Sequence, residues 1–407
     1  MNDNGVRRLL EEVAARPPET ETPRIDGMTP ALVLEPDDAS GCARALALCH
    51  EESLAVVPVG GGTRLALGNF PARLDAYLDM RRLAGVEDHI PGDLTVAVRA
   101  GTTLQALQDA LRGAGQFLPL DAPCPSRATI GGILSAGEAG YRRRPGARPR
   151  DLLLGFEAVT ADGNVIKAGG RVVKNVAGYE LMKLIVGSFG TLAVITRAFL
   201  RLRAIPEQTR TFACPVRSAA HAGTTWRQLR DLALPPEGAA LLNPQASAEL
   251  DLEGWNFVLR FEGLEEEVDG AAAELSGIAK AGPVPGEPWD ALRDFPLGES
   301  ALVLRGLVAP DRTFGLAESW QDGGALLAFP DSGILFSRTE ALDALADRRE
   351  QAGLHAAGLV VERLPEELKR EIDVFGEPPG GFGLMKRIKE KLDPKGILSP
   401  GRFVGRL

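Results

Sequence analysis

The stretch Val57-Pro58-Val59-Gly60-Gly61-Gly62-Thr63-Arg64 constrains this chain more than any other. The apolar run Leu54 to Val57 before it reads as a buried strand. Three consecutive glycines leave the backbone without Cβ atoms, so several N–H groups can turn toward one anion. Thr63 adds a hydroxyl donor. A strand that runs into such a loop makes either a plain turn or a cradle for a pyrophosphate, and hence for a dinucleotide. A second Gly-rich element, Thr129-Ile130-Gly131-Gly132-Ile133-Leu134-Ser135-Ala136-Gly137-Glu138-Ala139-Gly140, favours the cradle.

At 407 residues the chain has room for two or three domains. Its 44% hydrophobic and 25% charged residues are those of a globular protein. No apolar run approaches the roughly twenty residues of a membrane span. The start, Met1-Asn2-Asp3-Asn4-Gly5, has neither the basic nor the apolar region of a signal peptide. The cysteines, Cys42, Cys49, Cys124 and Cys214, form no Cys-x-x-Cys pair. Cys42 and Cys49 fall on one face of one predicted helix, as small core residues do. A reducing cytoplasm fits this usage, and an iron–sulfur or zinc site within this chain does not. Net charge −9 argues against nucleic acid as a partner. Tyr141 to Arg150 is the local exception, with five arginines in ten residues. It reads as either a solvated loop or a loop that faces an anion or a partner.

Polar, Pro/Glu-rich residues 1–27 form an N-terminal extension with one short helical pattern, Val6 to Ala15. Ala31 to Leu34 reads as a strand, and Asp37 or Asp38 caps a helix running to about Glu52. With Leu54–Val59 this makes a βαβ unit that ends in the Gly loop. Leu94 to Val98 is another strand, and Leu104, Leu107 and Leu111 mark a helix. Leu152–Thr160 and Val165–Ala168 flank Asp162-Gly163, a hairpin signal. The β-branched run Thr191 to Leu202 stops before Pro206, so a first domain is expected over 28–206. From 207 to 375 short strand runs alternate with helical ones, Leu264–Ile278 and Thr339–Ala352 among them, in a second α+β domain. The four tryptophans, Trp226, Trp255, Trp289 and Trp320, all fall there. A linker at Gly376 leads to a helix with apolar Leu384, Met385, Ile388 and Leu392 on one stripe and lysines elsewhere.

Several spaced motifs together resemble the vanillyl-alcohol-oxidase type of FAD-binding flavoproteins, with its PCMH-type FAD-binding domain. They are Val57–Thr63, Pro119–Pro123, Ala128–Gly132, Arg150-Asp151, Gly178–Leu181, Val186–Leu192 and Leu392–Arg402. Within that superfamily the chain is most similar to the FAD-binding subunits of multi-subunit glycolate oxidases (glycolate dehydrogenases). Its length and Val173-Lys174-Asn175-Val176-Ala177-Gly178-Tyr179 carry this narrower likeness. The resemblance is strong over 28–206 and 384–407 and poor between. It implies an α+β fold: a two-part FAD-binding domain, an α+β cap over 207–375, and a segment 376–407 returning to the FAD domain.

By position, the resemblance implies that Gly60, Gly61, Gly62 and Thr63 hold the pyrophosphate, with Arg64, Leu65 and Gly68 continuing that loop. Ser126, Thr129, Gly131, Gly132, Ser135, Ala136 and Gly140 line the second wall. Val194 and Ile195 pair with the adenine end through backbone. Arg402 sets a cation near the isoalloxazine, unless it is a C-terminal surface charge. Tyr179 faces the flavin or packs beneath it. Hydroxy-acid-oxidising relatives carry an HxGDGNxH cluster in the cap, whereas His50, His89, His221 and His355 are scattered here. A base for the hydroxyl proton is therefore not evident. Gly187-Ser188-Phe189-Gly190 stands for the usual Gly-Ser-Glu-Gly, and Ser399-Pro400-Gly401 for Asn-Pro-Gly. No histidine lies in or beside Gly60–Thr63, so FAD is expected to be non-covalent.

The leading expectation is an FAD-carrying subunit of a heteromeric glycolate or 2-hydroxy-acid oxidoreductase. It relays electrons, or is held for structure, beside a paralogous catalytic flavoprotein subunit and an iron–sulfur subunit. It would work in the cytoplasm, at the inner face of the membrane through its partners. One alternative is a self-sufficient FAD oxidoreductase whose Arg260, Arg305 or Arg338, with the 142–150 loop, clamps a substrate carboxylate. The other is a non-catalytic interaction subunit.

Overall fold

A computed structural model describes residue 8 and residues 11–142, 147–170 and 180–407. Val173–Tyr179, and with it Tyr179 as a site residue, lies outside the described residues. The chain divides into two compact units. The first takes Met1–Ala139, Pro145–Ala204 and Glu366–Leu407, and the second Gly140–Arg144 and Ile205–Pro365. Residues 366–375, expected in the cap, thus belong to the first unit.

The first unit is built on two sheets. One contains β1 (Ala15–Arg16), β2 (Leu32–Leu34), β3 (Val56–Val59) and β4 (Ala76–Asp79), in the order β1-β2-β4-β3. β4 runs parallel to both β2 and β3. The helix Ala39–Glu51 starts where Asp38 accepts a 2.6 Å hydrogen bond from the Gly41 N–H. Its Cys42, Ala45, Leu46 and Cys49 pack into the core of this sheet, and burial pushes both thiols up to about 12.

The other sheet is antiparallel. Its strands are β5 (Val86–Ile90), β6 (Thr95–Arg99), β8 (Leu153–Val159), β9 (Val165–Gly169) and β10 (Val194–Arg201), in the order β5-β6-β10-β8-β9. The short β7 (Gln116–Phe117) pairs apart from it with β11 (Arg203–Ala204). β8 and β9 form the hairpin signalled by Asp162-Gly163, with Val159 opposite Val165 and Gly163 at φ +82°. Leu104, Leu107 and Leu111 of the helix Leu104–Arg112 share its core with Ile130, Leu134 and Phe156.

The C-terminal segment returns to the first sheet. The Val56 N–H donates to the Ile397 carbonyl, and the Ser399 N–H to the Val56 carbonyl, both at 2.8 Å. Lys389, on the helix Phe382–Leu392, lies off the apolar stripe yet is buried. Its ammonium donates to Asp393 at 2.6 Å and to the carbonyls of Thr191 and Leu398 at 2.8 Å. Burial lowers its pKa, and Asp393 opposes that shift.

The second unit is one antiparallel sheet, ordered β15-β12-β14-β13-β17-β18-β16-β19. These strands are β12 (Gln208–Val216), β13 (Gly238–Leu242), β14 (Trp255–Gly263), β15 (Gly282–Pro283), β16 (Leu302–Leu307), β17 (Ala325–Phe329), β18 (Ile334–Thr339) and β19 (Gly358–Arg363). Gly282–Gly286, which reads as a link, begins as an edge strand against Phe212 and Ala213. The predicted helix at Thr339 begins later, at Ala344, because Thr339 is still paired with Leu302. All four tryptophans are buried here. Tyr141 joins this unit by packing on Trp289, ring centroids 4.3 Å apart. Among the described residues, no helix is long and apolar enough to cross a membrane.

Candidate functional site

β3 delivers Gly60, Gly61 and Gly62 to the edge of the first sheet, where Gly60 meets the second Gly-rich element and Gly61 meets the Arg127 backbone just before it. A Cβ on Gly60 would lie 2.0 Å from the Thr129 Oγ1, and one on Gly61 would lie 1.7 Å from the Arg127 carbonyl oxygen. Only glycine allows that approach. Arg127 closes the contact by donating from Nη2 to the Gly61 carbonyl at 3.0 Å. Gly62 turns the chain at φ +72°. Among the described hydrogen bonds, the N–H groups of Gly61, Gly62 and Thr63 donate to no protein acceptor. Backbone donors left open in a Gly loop suit an anion.

Two cavities run along this loop. The first is lined by Gly60 to Leu65, by Thr129, Gly132, Ser135, Ala136 and Glu138, and by Phe189, Ser399 and Arg402. The second shares Pro58, Val59, Gly60, Thr129, Ser135 and Phe189 with it and continues to Gly131, Val194 and Ile195. Their free volumes, about 100 and 70 Å3, mark two stretches of one groove rather than a mould of a whole dinucleotide. The Ser399 hydroxyl, 1% exposed, faces the first cavity without a protein partner. A buried hydroxyl and three open N–H groups in one groove match the phosphates and polar ring edges of FAD. The residues present therefore fit the cofactor.

Arg402 is buried, not a surface charge. Its guanidinium donates to the carbonyls of Leu65, Leu67 and Asn69 and lies 3.5 Å from Asp26. Gly68 makes room for it, since a Cβ there would lie 2.8 Å from the Arg402 carbonyl oxygen. Burial lowers the arginine's pKa, opposed by Asp26 and Tyr77. Asp26 also accepts from Lys369 at 2.7 Å. Burial pulls Lys369 down to about 8 despite that carboxylate, and Arg402 adds to the fall.

Gly60, Gly61, Gly62, Thr63, Arg64, Leu65, Thr129, Gly131, Gly132, Ser135, Ala136, Val194, Ile195 and Arg402 thus converge on one groove. Ser126 instead lines a broad cleft of about 970 Å3 that also reaches Gly60, Gly61 and Arg127. Gly140 belongs to the second unit and lines neither cavity. Sequence reasoning passed over Glu138, Phe189 and Ser399. The departures at Phe189 and Ser399 were themselves the signal: both residues adopt positive φ, at +57° and +45°, and both face the groove. Phe189 is held there by the rings of Phe375 and Phe403 at 5.5 and 5.4 Å.

In the second unit each arginine read as a carboxylate clamp already has an acidic partner. Arg260 donates to Glu262 at 2.6 Å. Arg305 lies 3.0 Å from Glu362, as a charge contact rather than an aligned hydrogen bond. Arg338 donates to Glu249. Arg142, from the arginine loop, is buried and also donates to Glu262, at 3.0 Å. Burial opposes ionisation of Glu262, but Arg142 and Arg260 outweigh it and hold the carboxyl below its usual range. Arg143 and Arg144 lie outside the described residues. The histidines are dispersed. His89 bonds Gln116 and His355 bonds Ser319, each at 2.9 Å, while His50 and His221 lie on two separate helices.

Residues 30–169 match the FAD binding domain family, and residues 375–403 match the C-terminal domain of FAD linked oxidases. The glycolate oxidase subunit GlcD of Bacillus subtilis is 33% identical over 190 residues, 47% of this chain and 40% of that protein. The match thus spans about two fifths of that relative's length. The glycolate oxidase subunit GlcE of Escherichia coli is 29% identical over 339 residues, 81% of this chain and 87% of that protein. Among solved structures, alkyldihydroxyacetonephosphate synthase superposes with a TM-score of 0.74 at 19% identity, over 98% of this chain and 85% of that one. At that identity the likeness is one of fold.

Proposed function

We propose that this chain, whose residues 30–169 match the FAD binding domain family and residues 375–403 the C-terminal domain of FAD linked oxidases, is the FAD-carrying subunit of a heteromeric 2-hydroxy-acid oxidoreductase. In this role it relays electrons and leaves substrate oxidation to a paralogous flavoprotein subunit. Bound FAD supplies a two-electron carrier that can also pass electrons one at a time. The Gly61, Gly62 and Thr63 N–H groups hold the pyrophosphate, and Thr129, Gly132 and Ser135 close the opposite wall. Val194 and Ile195 offer backbone to the adenine. Attachment is non-covalent, since no histidine lies in or beside the Gly loop.

The carrying observation is the neutralised arginine set of the cap. Oxidising a hydroxy acid requires a cation to hold the carboxylate and a base to take the hydroxyl proton. Here Arg260, Arg305 and Arg338 each already face a glutamate. A substrate carboxylate would have to displace part-buried Glu262 from Arg260, buried Glu362 from Arg305, or exposed Glu249 from Arg338. The near full-length match to a relative named as a glycolate oxidase subunit supports the same reading. On the catalytic partner, glycolate gives up two electrons and two protons to become glyoxylate. The Gly60–Thr63 loop and the Thr129–Ser135 wall would hold an FAD able to accept those electrons and hand them to an iron–sulfur subunit.

The test is dye-linked turnover of glycolate and D-lactate by the FAD-loaded chain, alone and with a partner flavoprotein and iron–sulfur subunit. The chain alone is expected to be inactive and the assembled complex active. Sustained turnover by the chain alone would overturn the proposal.

A further inference from the structure

We infer that Glu138 and Arg64 form a charge pair that sets the reduction potential of the FAD bound in this groove. The inference rests on FAD occupying the groove, and it holds whichever subunit oxidises the substrate.

Glu138 is 4% exposed and lines the same cavity as Ser399 and Arg402. Its Oε2 lies 3.0 Å from an Arg64 Nη2. Neither residue is placed by chance. Arg64 directly follows the Gly loop, within one residue of Thr63. The helix Ile130–Ala136 ends at Gly137, in a left-handed C-cap at φ +68°. The next N–H, of Glu138, then bonds back to Ile133 at 3.0 Å, which fixes where that carboxylate emerges. The pair therefore joins the two loops that build the cradle.

As a fastening alone, the pair is poorly chosen. A buried ion pair loses hydration on both partners, and well-packed apolar residues of similar volume often hold as well or better. Its sign pattern is what matters beside a redox cofactor. Reduction adds negative charge to the flavin. Arg64 and Arg402 both favour that charge, and Asp26 stands beside Arg402. Glu138 is the carboxylate lining this cavity that offsets Arg64. Through a medium of effective dielectric about 20, a unit charge roughly 10 Å away shifts such an equilibrium by about tenfold. Glu138 thus holds the potential down and Arg64 holds it up, so that the flavin gives electrons onward as readily as it takes them.

The experiment compares the FAD-loaded full chain with E138Q, R64Q and R64Q/E138Q. It reads FAD content by absorbance and midpoint potential by equilibration with a reference dye. E138Q is expected to favour the reduced flavin about tenfold, which is about 30 mV upward for a two-electron couple. R64Q is expected to fall by a similar amount, and the double variant to return to within about threefold of the parent. Single variants that keep FAD with potentials within about threefold of the parent would overturn the inference. So would loss of FAD from E138Q, which would make the pair a loop clasp. A parent chain that retains no FAD would instead overturn the cofactor reading beneath it.

Discussion

Replacing Gly61 by alanine adds one methyl group at the tightest point of the cradle. That Cβ would lie 1.7 Å from the Arg127 carbonyl oxygen and 2.5 Å from its carbonyl carbon, both backbone atoms. Backbone cannot swing aside as a side chain can, so the two loops must part by well over an ångström. N–H···O bonds hold over about 2.7–3.2 Å, so a displacement of this size breaks them. Each lost bond from a backbone N–H to a charged phosphate costs about 1.5–3 kcal/mol. At about 1.4 kcal/mol per tenfold, FAD affinity should fall roughly 10- to 100-fold for one broken contact. The control is Gly113→Ala. Gly113 has φ −60°, and its added Cβ would meet nothing within 4 Å. That change should leave affinity unchanged and stabilise the fold by about 0.4–1 kcal/mol. Affinity is read by titrating the apoprotein with FAD and following flavin fluorescence, with circular dichroism as the check on folding. G61A binding FAD within about threefold of the parent, with its fold intact, would refute the assignment of this loop as the pyrophosphate cradle.

Lys389→Met leaves the buried Asp393 carboxylate without its ammonium and should cost about 3–5 kcal/mol in urea unfolding. Lys369 carries a pH signature. Its folded pKa, about 8, lies below the ordinary 10.5, so between these values the unfolded chain binds more protons. Its contribution is unfavourable below pH 8 and is relieved as pH rises toward 10.5. Relative to Lys369→Gln, the parent should gain about 2–3 kcal/mol of stability between pH 8 and 10, measured by denaturant unfolding at both. Native thiol labelling should spare Cys42 and Cys49, pushed up to about 12, and Cys214, pushed up to about 11, which react only on unfolding.

Where one local signal decides the backbone, the sequence is legible. Asp38 capping its helix, the Asp162-Gly163 hairpin and the Gly60–Gly62 loop all depend on neighbours in the chain. Strands defined by their partners are harder to read. β12, Gln208–Val216, carries Gln, Arg, two threonines and a proline, and is a strand because β14 runs beside it for nine residues. Gly282–Pro283 looks like linker and pairs for the same reason. Long-range charge is the least legible. Nothing near Lys389 or Arg142 in the sequence shows that the Thr191 carbonyl, or Glu262, will receive them in the interior. Glu138 escaped notice because a lone glutamate in a Gly-rich loop looks solvated until Arg64 is folded against it.

The central claim is that this chain carries a flavin its own residues do not present to a hydroxy acid. The most direct measurement is the anaerobic visible spectrum of the purified FAD-loaded chain before and after adding glycolate or D-lactate. The account predicts that flavin absorbance persists, and that it bleaches only once the catalytic flavoprotein partner is added. Stoichiometric bleaching by either acid in the isolated chain would contradict it.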